Sequence, residues 1–316
     1  MTYRTAHAPG TVRQLWQLLE PVHAVVYFAP EAYEEAGALG YATDDRWPMY
    51  FAYRAAPLGP AGAGLVNALF YSFSPGMVDH YLAQSWHTAP PARVLAARAV
   101  AADRSLHALL GERTDSPDLA EAAGLARRAA EAATTGARPL AAANAALPWP
   151  SAPHTVLWHA ATILREHRGD GHLAALQTHH LDPVESLVLQ SGVGAAPAEW
   201  FESRRWSADE WNAARERLAA RGLLAGDGTA TAAGLALRTE VEKLTDELAS
   251  GPWSALTPQE GWLRLPCPAG RRLPLARGRC RRPSTVGRPG RRRGCAGGRR
   301  GGRARWMRSV RRGRQM

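Results

Sequence analysis

The fold is decided near the carboxyl end of the chain by residues 207–248, which read SADEWNAARERLAARGLLAGDGTATAAGLALRTEVEKLTDEL. Ser207 and Glu210 have the S-x-x-E spacing of a capping box, which predicts that a helix begins there. Gly222 follows the last apolar residue of that helix and predicts its end. The stretch therefore opens with a helix of about four turns.

A hairpin and a second helix complete this stretch. Asp227-Gly228 is a tight-turn pair, so we expect short strands at 223–224 and 229–231 on its two sides. A long helix follows, because apolar residues recur at 4-3-4 spacing at Leu237, Val241, Leu244 and Leu248. Two shorter helices precede the stretch, one after the Asp182-Pro183 pair and one over 197–203. Helix, helix, helix, hairpin, helix is the order of a winged helix-turn-helix.

The chain upstream of residue 181 predicts a series of helices and no strand. Helix starts are marked by Ser74-Pro75, Ser116-Pro117 and Ser151-Ala152-Pro153, where a serine caps the helix and a proline occupies its first turn. The predicted helices cover 11–29, 74–87, 88–110, 116–136, 139–147, 151–168 and 170–180. The fold class is thus mainly α. We expect a helical domain at 1–180, a winged helix-turn-helix at 181–256 and a disordered tail at 257–316.

The basic charge of the chain is confined to this tail. The formal net charge is +11, but 19 of the 39 basic residues are arginines between Arg264 and Arg314, and no acidic residue follows Glu260. The remainder carries 20 basic and 28 acidic residues, a net charge of −8. Arginine–glycine segments can grip RNA electrostatically. The abrupt loss of acids and of helical periodicity favours a different interpretation, in which a GC-rich gene is read out of frame here.

Cysteines and leader sequences indicate the compartment. Cys267, Cys280 and Cys295 lie in the tail, and their odd number and wide spacing match neither a disulfide framework nor a usual metal motif. The first ten residues lack the pattern of a signal peptide, and no apolar run approaches the ~20 residues of a membrane span. We expect a cytoplasmic protein that does not enter membranes.

Charge argues against extensive DNA binding by the predicted winged module. Between residues 182 and 247 there are 12 acidic and seven basic residues, a net charge of −5. The candidate recognition helix begins with Asp209-Glu210, at the end that usually meets the groove. A local contact remains open, and its candidate residues are Arg204, Arg205, Asn212, Arg215 and Arg221. Winged modules also mediate assembly, so a homodimer or a purely structural role is the alternative.

Histidines are concentrated between His154 and His172. Imidazole and carboxylate groups suit a zinc or iron site, or a general acid–base pair, and the candidates are His159, Glu166, His167 and His172. The spacing matches no established metal signature. In the competing structural interpretation, Asp170 is a helix cap, the flanking glycines form a turn, and Glu166 is a surface partner for an arginine.

Aromatic residues of the first 73 positions predict either a pocket or ordinary core. They cluster at Tyr27-Phe28, at 50–53 and at 70–73. If they line an apolar pocket, its polar points are His23, Tyr27, Arg54, Asn67, Asn144 and His159. A packed aromatic core is the alternative.

Four strings of the sequence resemble a known family when they are taken together. They are Leu19 to Pro30, Arg54 to Gly59, Pro139 to Asn144, and Leu164 to His172. They are similar to actinobacterial SalK-like helix-turn-helix proteins over about residues 11–256, and the run from Arg221 to Gly234 resembles a MarR-type wing with its following helix. The resemblance implies a helical region followed by a helix-turn-helix, and it implies no reaction or cofactor.

These observations support three functional hypotheses. The first is a transcription-regulator-like protein in which the helical domain senses a small apolar ligand and the winged module binds DNA. The second is an enzyme or metal-binding protein that uses the segment from His154 to His172. The third is a structural partner protein whose winged module only mediates assembly. The cofactor is unknown on all three.

Overall fold

The computed structural model describes residues 9–257 and residue 260. Over these residues the secondary structure is helical, as predicted. The helices are α1 Pro9–His23, α2 Pro30–Leu39, α3 Trp47–Ala55, α4 Ala63–Phe70, α5 Pro75–Thr88, α6 Pro91–Leu110, α7 Pro117–Glu131, α8 Pro139–Ala145, α9 Pro153–Thr178, α10 Pro183–Gly192, α11 Ala208–Ala220 and α12 Ala232–Leu248. Short 3-10 segments lie at Ala24–Tyr27, Ala56–Leu58, Gly111–Asp115, Ala198–Trp200, Glu202–Arg204 and Gly251–Ala255. Apart from residues 257 and 260, the predicted disordered tail lies outside the described residues.

Most capping signals of the sequence are confirmed, but Ser151 does not cap α9, whose N-cap is Ala152 without a side-chain hydrogen bond. The side chains of Ser74, Ser116 and Asp182 accept hydrogen bonds from backbone amides in the first turns of α5, α7 and α10. Ser207 and Glu210 form the expected capping box at α11, and Asp182 forms a second one with Glu185. Each of these caps accepts hydrogen bonds from amides that have no partner within the helix. The helix starts could therefore be predicted from neighbouring residues in the sequence.

The predicted β-hairpin wing is wrong. Among the described residues there is one isolated antiparallel bridge, between Leu224 and Ala230, and no strand. The returning arm has no length to extend a ladder, because Thr231 already caps α12 by accepting a hydrogen bond from the backbone amide of Gly234. The amide of Ala230 bonds to the carbonyl of Gly192 at 2.9 Å, so α10 takes part of the pairing that a strand partner would provide. The turn is a compact connection between α11 and α12.

Helix α9 corrects a second prediction, because 151–180 was expected to form two helices with a turn at 168–171. It is one helix of 26 residues, from Pro153 to Thr178. Asp170 lies inside α9 and begins no helix; its Oδ2 accepts a hydrogen bond from the backbone amide of Ala141 in the first turn of α8. Gly171 allows close packing instead of a turn, since a Cβ there would lie 2.7 Å from Nη1 of Arg138. Asp170 and Gly171, which were predicted to mark a turn, instead make contacts with other parts of the fold.

Three other helix predictions differ from the structure in their boundaries or helix type. The helix expected from residue 88 begins at Pro91, because Ala89 and Pro90 are extended. The helix expected over 11–29 ends at His23 and continues as the 3-10 segment. The short helix expected over 197–203 is a pair of 3-10 turns.

Helix α9 is the centre of the packing. Helices α1, α6, α7, α8 and α12 all pack against it. Its first half contributes Leu157, Ile163 and Leu164 to a core shared with α1 and α7, and this core also contains Trp253. Its last turns contribute Ala175 and Leu176 to the core of α10, α11 and α12. One helix therefore belongs to the cores of both predicted domains, and the domain division itself stays a prediction.

Candidate functional site

A cavity of about 240 Å³ lies where α1, α3, α4 and α9 meet α10 and α12. Helix α1 lines it with Trp16, Glu20 and His23, which are spaced 4-3 and so share one helix face. Helix α9 lines it with Arg165, Gly169 and His172 at the same spacing. The wall thus carries ionisable groups from helices that are far apart in sequence.

A buried charge cluster forms one side of the cavity. Glu166 accepts hydrogen bonds from Nε and Nη2 of Arg54, at 3.2 and 3.3 Å, and from Nη1 of Arg165 at 2.8 Å. Burial alone would raise the pKa of Glu166, but Arg165 and Arg54 outweigh it and hold that pKa well below its usual value. Glu166 is therefore an ionised counterion for two guanidinium groups.

Two further carboxyl groups of the wall are poorly compensated. Burial raises the pKa of Glu20 above its usual value, and its Oε2 lies 3.9 Å from Nε of Arg165. Burial likewise raises the pKa of Asp170 to about 6. Among the described residues, Oε2 of Glu20 and Oδ1 of Asp170 are buried without a hydrogen-bond partner. The acidic groups here are held in an environment that disfavours their charge.

The two cavity histidines are kept neutral. Burial, followed by the charge of Arg165, lowers the pKa of His23 to about 3, and its Nδ1 lies 3.2 Å from Oγ1 of Thr162. Burial also lowers the pKa of His172 to about 4. A neutral imidazole can both donate and accept a hydrogen bond, so these rings offer polar contacts without adding charge.

Arg204 joins the cavity to the segment that leads into α11. It is 7% exposed, and its guanidinium lies over the Phe73 ring at 4.2 Å and the Trp47 ring at 5.8 Å. Burial first, and then three neighbouring arginines, lower its pKa to about 10. The backbone carbonyl of Arg204 accepts a hydrogen bond from the amide of Ser74. Arg204 lies three residues before Ser207, which is the N-cap of α11.

The sequence predicted three of these wall residues as ligand contacts. His23, Tyr27 and Arg54 line the cavity. Asn67, Asn144 and His159 are not among its lining residues: Asn67 is half-buried in α4, Asn144 accepts a hydrogen bond from Arg98 at 3.2 Å, and His159 packs edge-on against Trp149 with a ring separation of 4.7 Å. Sequence reasoning missed Glu20 and Arg165, although charged residues on the apolar face of a helix were a usable signal.

The predicted metal residues are not brought together. Glu166 is bound by its two arginines, and Nδ1 of His172 lies 2.9 Å from Oγ1 of Thr245. The ring of His167 is buried beside Arg138, and burial lowers its pKa to about 3. Burial lowers the pKa of His159, which faces Trp149, to about 4.

A different group of side chains comes close enough to share an ion within the part of the chain that the structure describes. It consists of Asp103, His107 and His154. Oδ1 of Asp103 lies 2.7 Å from Nε2 of His154, and the rings of His107 and His154 are 4.4 Å apart. The direct contact between Asp103 and His154 joins α6 to the first turn of α9.

The predicted DNA contacts are dispersed. Arg204 faces the cavity, and Arg205 donates to Oη of Tyr81 at 2.5 Å. Arg221 donates to the backbone carbonyls of His179 and His180. Asn212 is exposed on α11, and Arg215 lies against the turn at Gly228. Of the five candidates, Asn212 and Arg215 are the two that lie on α11.

The described residues form an all-helical fold in which helices from both ends of the chain line one cavity. The chain belongs to a helix-turn-helix family, whose model matches residues 12–267. Comparison with curated proteins gave no significant match, and comparison with solved structures gave none either. The narrower SalK-like resemblance stays a prediction. Within residues 9–257, none of the helices combines the length and the apolarity needed to cross a membrane.

Proposed function

We propose that this protein is a ligand-responsive transcription regulator in which a small molecule in the cavity controls the position of α11. The observation that carries the proposal is the shared wall of the cavity: α1, α3 and α9 provide one part, and α10, α12 and Arg204 provide the other. Ligand sites occur preferentially at such boundaries between structural units. A ligand there contacts both parts at once and can favour one arrangement over another through its differential affinity.

DNA binding in this proposal is local. The described body is acidic and α11 begins with exposed Asp209 and Glu210, so attraction to phosphates cannot come from a broad basic face. Asn212 and Arg215 are the proposed contacts. The division into a helical domain and a DNA-binding domain, and a homodimer that would match a two-fold operator, are parts of the same proposal.

The DNA half is tested with the full chain and the DNA upstream of its own gene. Binding is measured by fluorescence anisotropy with excess competitor DNA, because the arginine-rich tail binds polyanions in every variant. We expect Asn212→Ala combined with Arg215→Ala to remove sequence-selective binding. The control is Arg93→Ala, which removes one exposed arginine from α6. Equal loss in both variants, or no selectivity in the wild type, contradicts DNA recognition by α11.

The ligand half is tested by filling the cavity. Gly169 lines the cavity within α9, and a Cβ there lies 3.5 Å or more from its nearest neighbours, so Gly169→Met adds a side chain without backbone strain. Gly124→Met on the exposed face of α7, where a Cβ meets nothing within 4 Å, is the matched control. Native mass spectrometry of the purified chain should show a small molecule that Gly169→Met loses and Gly124→Met keeps. Retention by Gly169→Met would place the molecule elsewhere.

A further inference from the structure

The cavity wall has a composition that narrows the chemistry of its ligand. Five arginines line it, namely Arg46, Arg54, Arg165, Arg204 and Arg238, whereas two carboxyl groups do, Glu20 and Asp170. Glu166 and Glu242 lie behind the wall and pair with three of the arginines. Even with these two included, five guanidinium groups face four carboxyl groups, and burial raises the pKa values of Glu20 and Asp170.

The pKa of Tyr50 indicates that the electrostatic potential inside the cavity is positive. Its Oη accepts a hydrogen bond from Nη1 of Arg54 at 3.2 Å. Burial would raise the pKa of this phenol, but Arg54, Arg204 and Arg165 outweigh burial and lower it. A positive field in a site removed from water favours an anion much more strongly than the same field at the surface does.

The rest of the wall is aromatic. Nine aromatic side chains line the cavity, from Trp16 on α1 to Phe201 beside the helix-turn-helix. Aromatic walls favour flat apolar bodies. At about 240 Å³ the cavity lies below the roughly 300 Å³ at which pockets for drug-sized molecules begin. The space suits one ring or two fused rings with a short substituent.

We infer that the ligand is a small aromatic acid whose carboxylate is bound by the cavity arginines, Arg204 among them. This inference rests on the proposed function and adds the chemical class of the effector. An acidic ligand bound by Arg204 can affect α11, because Arg204 lies in the 3-10 turn that leads into this helix. An anion held by that guanidinium acts directly on the segment that orients α11.

The test compares acids with neutral amides of the same shape. Benzoate, phenylacetate and 2-naphthoate, each beside its amide, are titrated into the full chain by calorimetry, and the melting temperature is recorded at saturation. We expect at least one acid to bind about 10- to 100-fold more tightly than its amide, as charged hydrogen bonds in a desolvated site provide. Arg204→Gln should bring the two affinities together, and Arg93→Gln should leave their ratio unchanged.

The outcomes separate this inference from the proposed function. If amides bind as tightly as acids and Gly169→Met blocks both, the cavity is a ligand site but the anionic class is wrong. If none of the acids binds, the inference is overturned, while the DNA and mass-spectrometric experiments still decide the regulator proposal. If circular dichroism shows that Arg204→Gln does not fold, Arg46→Gln, which alters a half-buried arginine of the wall, takes its place. An unchanged acid-to-amide ratio in the folded variant contradicts the inference.

Discussion

Moderate acid should destabilise this protein strongly, because four histidines are folded in neutral form. Burial is the first cause in each case, and it lowers the pKa of His23 and His167 to about 3 and the pKa of His159 and His172 to about 4. In the unfolded chain a histidine takes up a proton near pH 6.5. The stability that these rings contribute is therefore fully present above about pH 7 and decreases progressively as the pH falls from there toward the folded-state pKa values of about 3 to 4.

The magnitude follows from proton linkage. Between pH 7.5 and 5.5, each histidine that is protonated only in the unfolded chain removes about 1.4 kcal/mol from the free energy of unfolding. Four such residues remove about 5 kcal/mol. Asp170 acts in the opposite direction, because its pKa of about 6 lets the folded state take up a proton in this range, and it restores about 1 kcal/mol. The net loss is a large part of the 5–15 kcal/mol typical of a folded protein.

Urea denaturation followed by circular dichroism at pH 7.5, 6.5 and 5.5 measures this loss. His23→Gln should reduce the difference between pH 7.5 and 5.5 by about 1.4 kcal/mol. Any constant effect of the substitution cancels, since only the pH dependence is compared. His87→Gln, at an exposed position on α5, is the control and should retain the wild-type dependence. A wild-type loss below 1 kcal/mol, or a His23→Gln curve parallel to the wild type, would refute the reasoning.

Three further substitutions test the packing, each by urea denaturation at pH 7.5. Gly234→Ala should prevent stable folding, because its Cβ would lie 2.2 Å from the carbonyl oxygen of Leu223, whereas the helical control Gly124→Ala has open space and should add up to about 1 kcal/mol; equal stabilities would contradict the close approach. Glu166→Gln should lower the free energy of unfolding by about 3–5 kcal/mol, since it leaves the buried guanidinium of Arg54 and the part-buried one of Arg165 without their shared counterion; a loss below 1 kcal/mol would show that another group compensates them. Asp170→Asn should stabilise the protein at pH 7.5 by at most about 3 kcal/mol and have little effect at pH 4, because a pKa of about 6 means that burial opposes the charged form; destabilisation at both values would argue for a necessary carboxylate.

The helical class and most helix starts were predictable because they depend on neighbouring residues. A serine or aspartate before a proline satisfies the first amides of a helix wherever the helix then packs, and Ser116 and Asp182 did so as predicted. Glycine was ambiguous for a physical reason. The same missing side chain that allows a turn also allows another residue to approach, and at Gly171 the approach of Arg138 decided the outcome.

The candidate site was predictable only in part. His23, Tyr27 and Arg54 were polar points within aromatic segments, so local composition identified them. Glu166 was interpreted as a surface partner of an arginine; it does pair with arginines, but it is buried, and the identity of Arg54, 112 positions away, required the fold. Arg204 was predicted as a DNA contact, and sequence alone could not show that its guanidinium lies in the cavity wall over the Phe73 ring.

Helix α9 sets a mechanical condition on any signal that crosses this molecule. At 1.5 Å per residue its 26 residues form a rod about 39 Å long. A tilt of about 5° at one end displaces the other end by about 3 Å, comparable to the shifts that helices make at switching interfaces. The two ends of α9 pack in different hydrophobic cores, so a tilt of the helix changes the packing of both. Repacking near Leu157 would therefore displace Leu176. Helix α9 therefore couples movements in the amino-terminal core to movements in the carboxyl-terminal core.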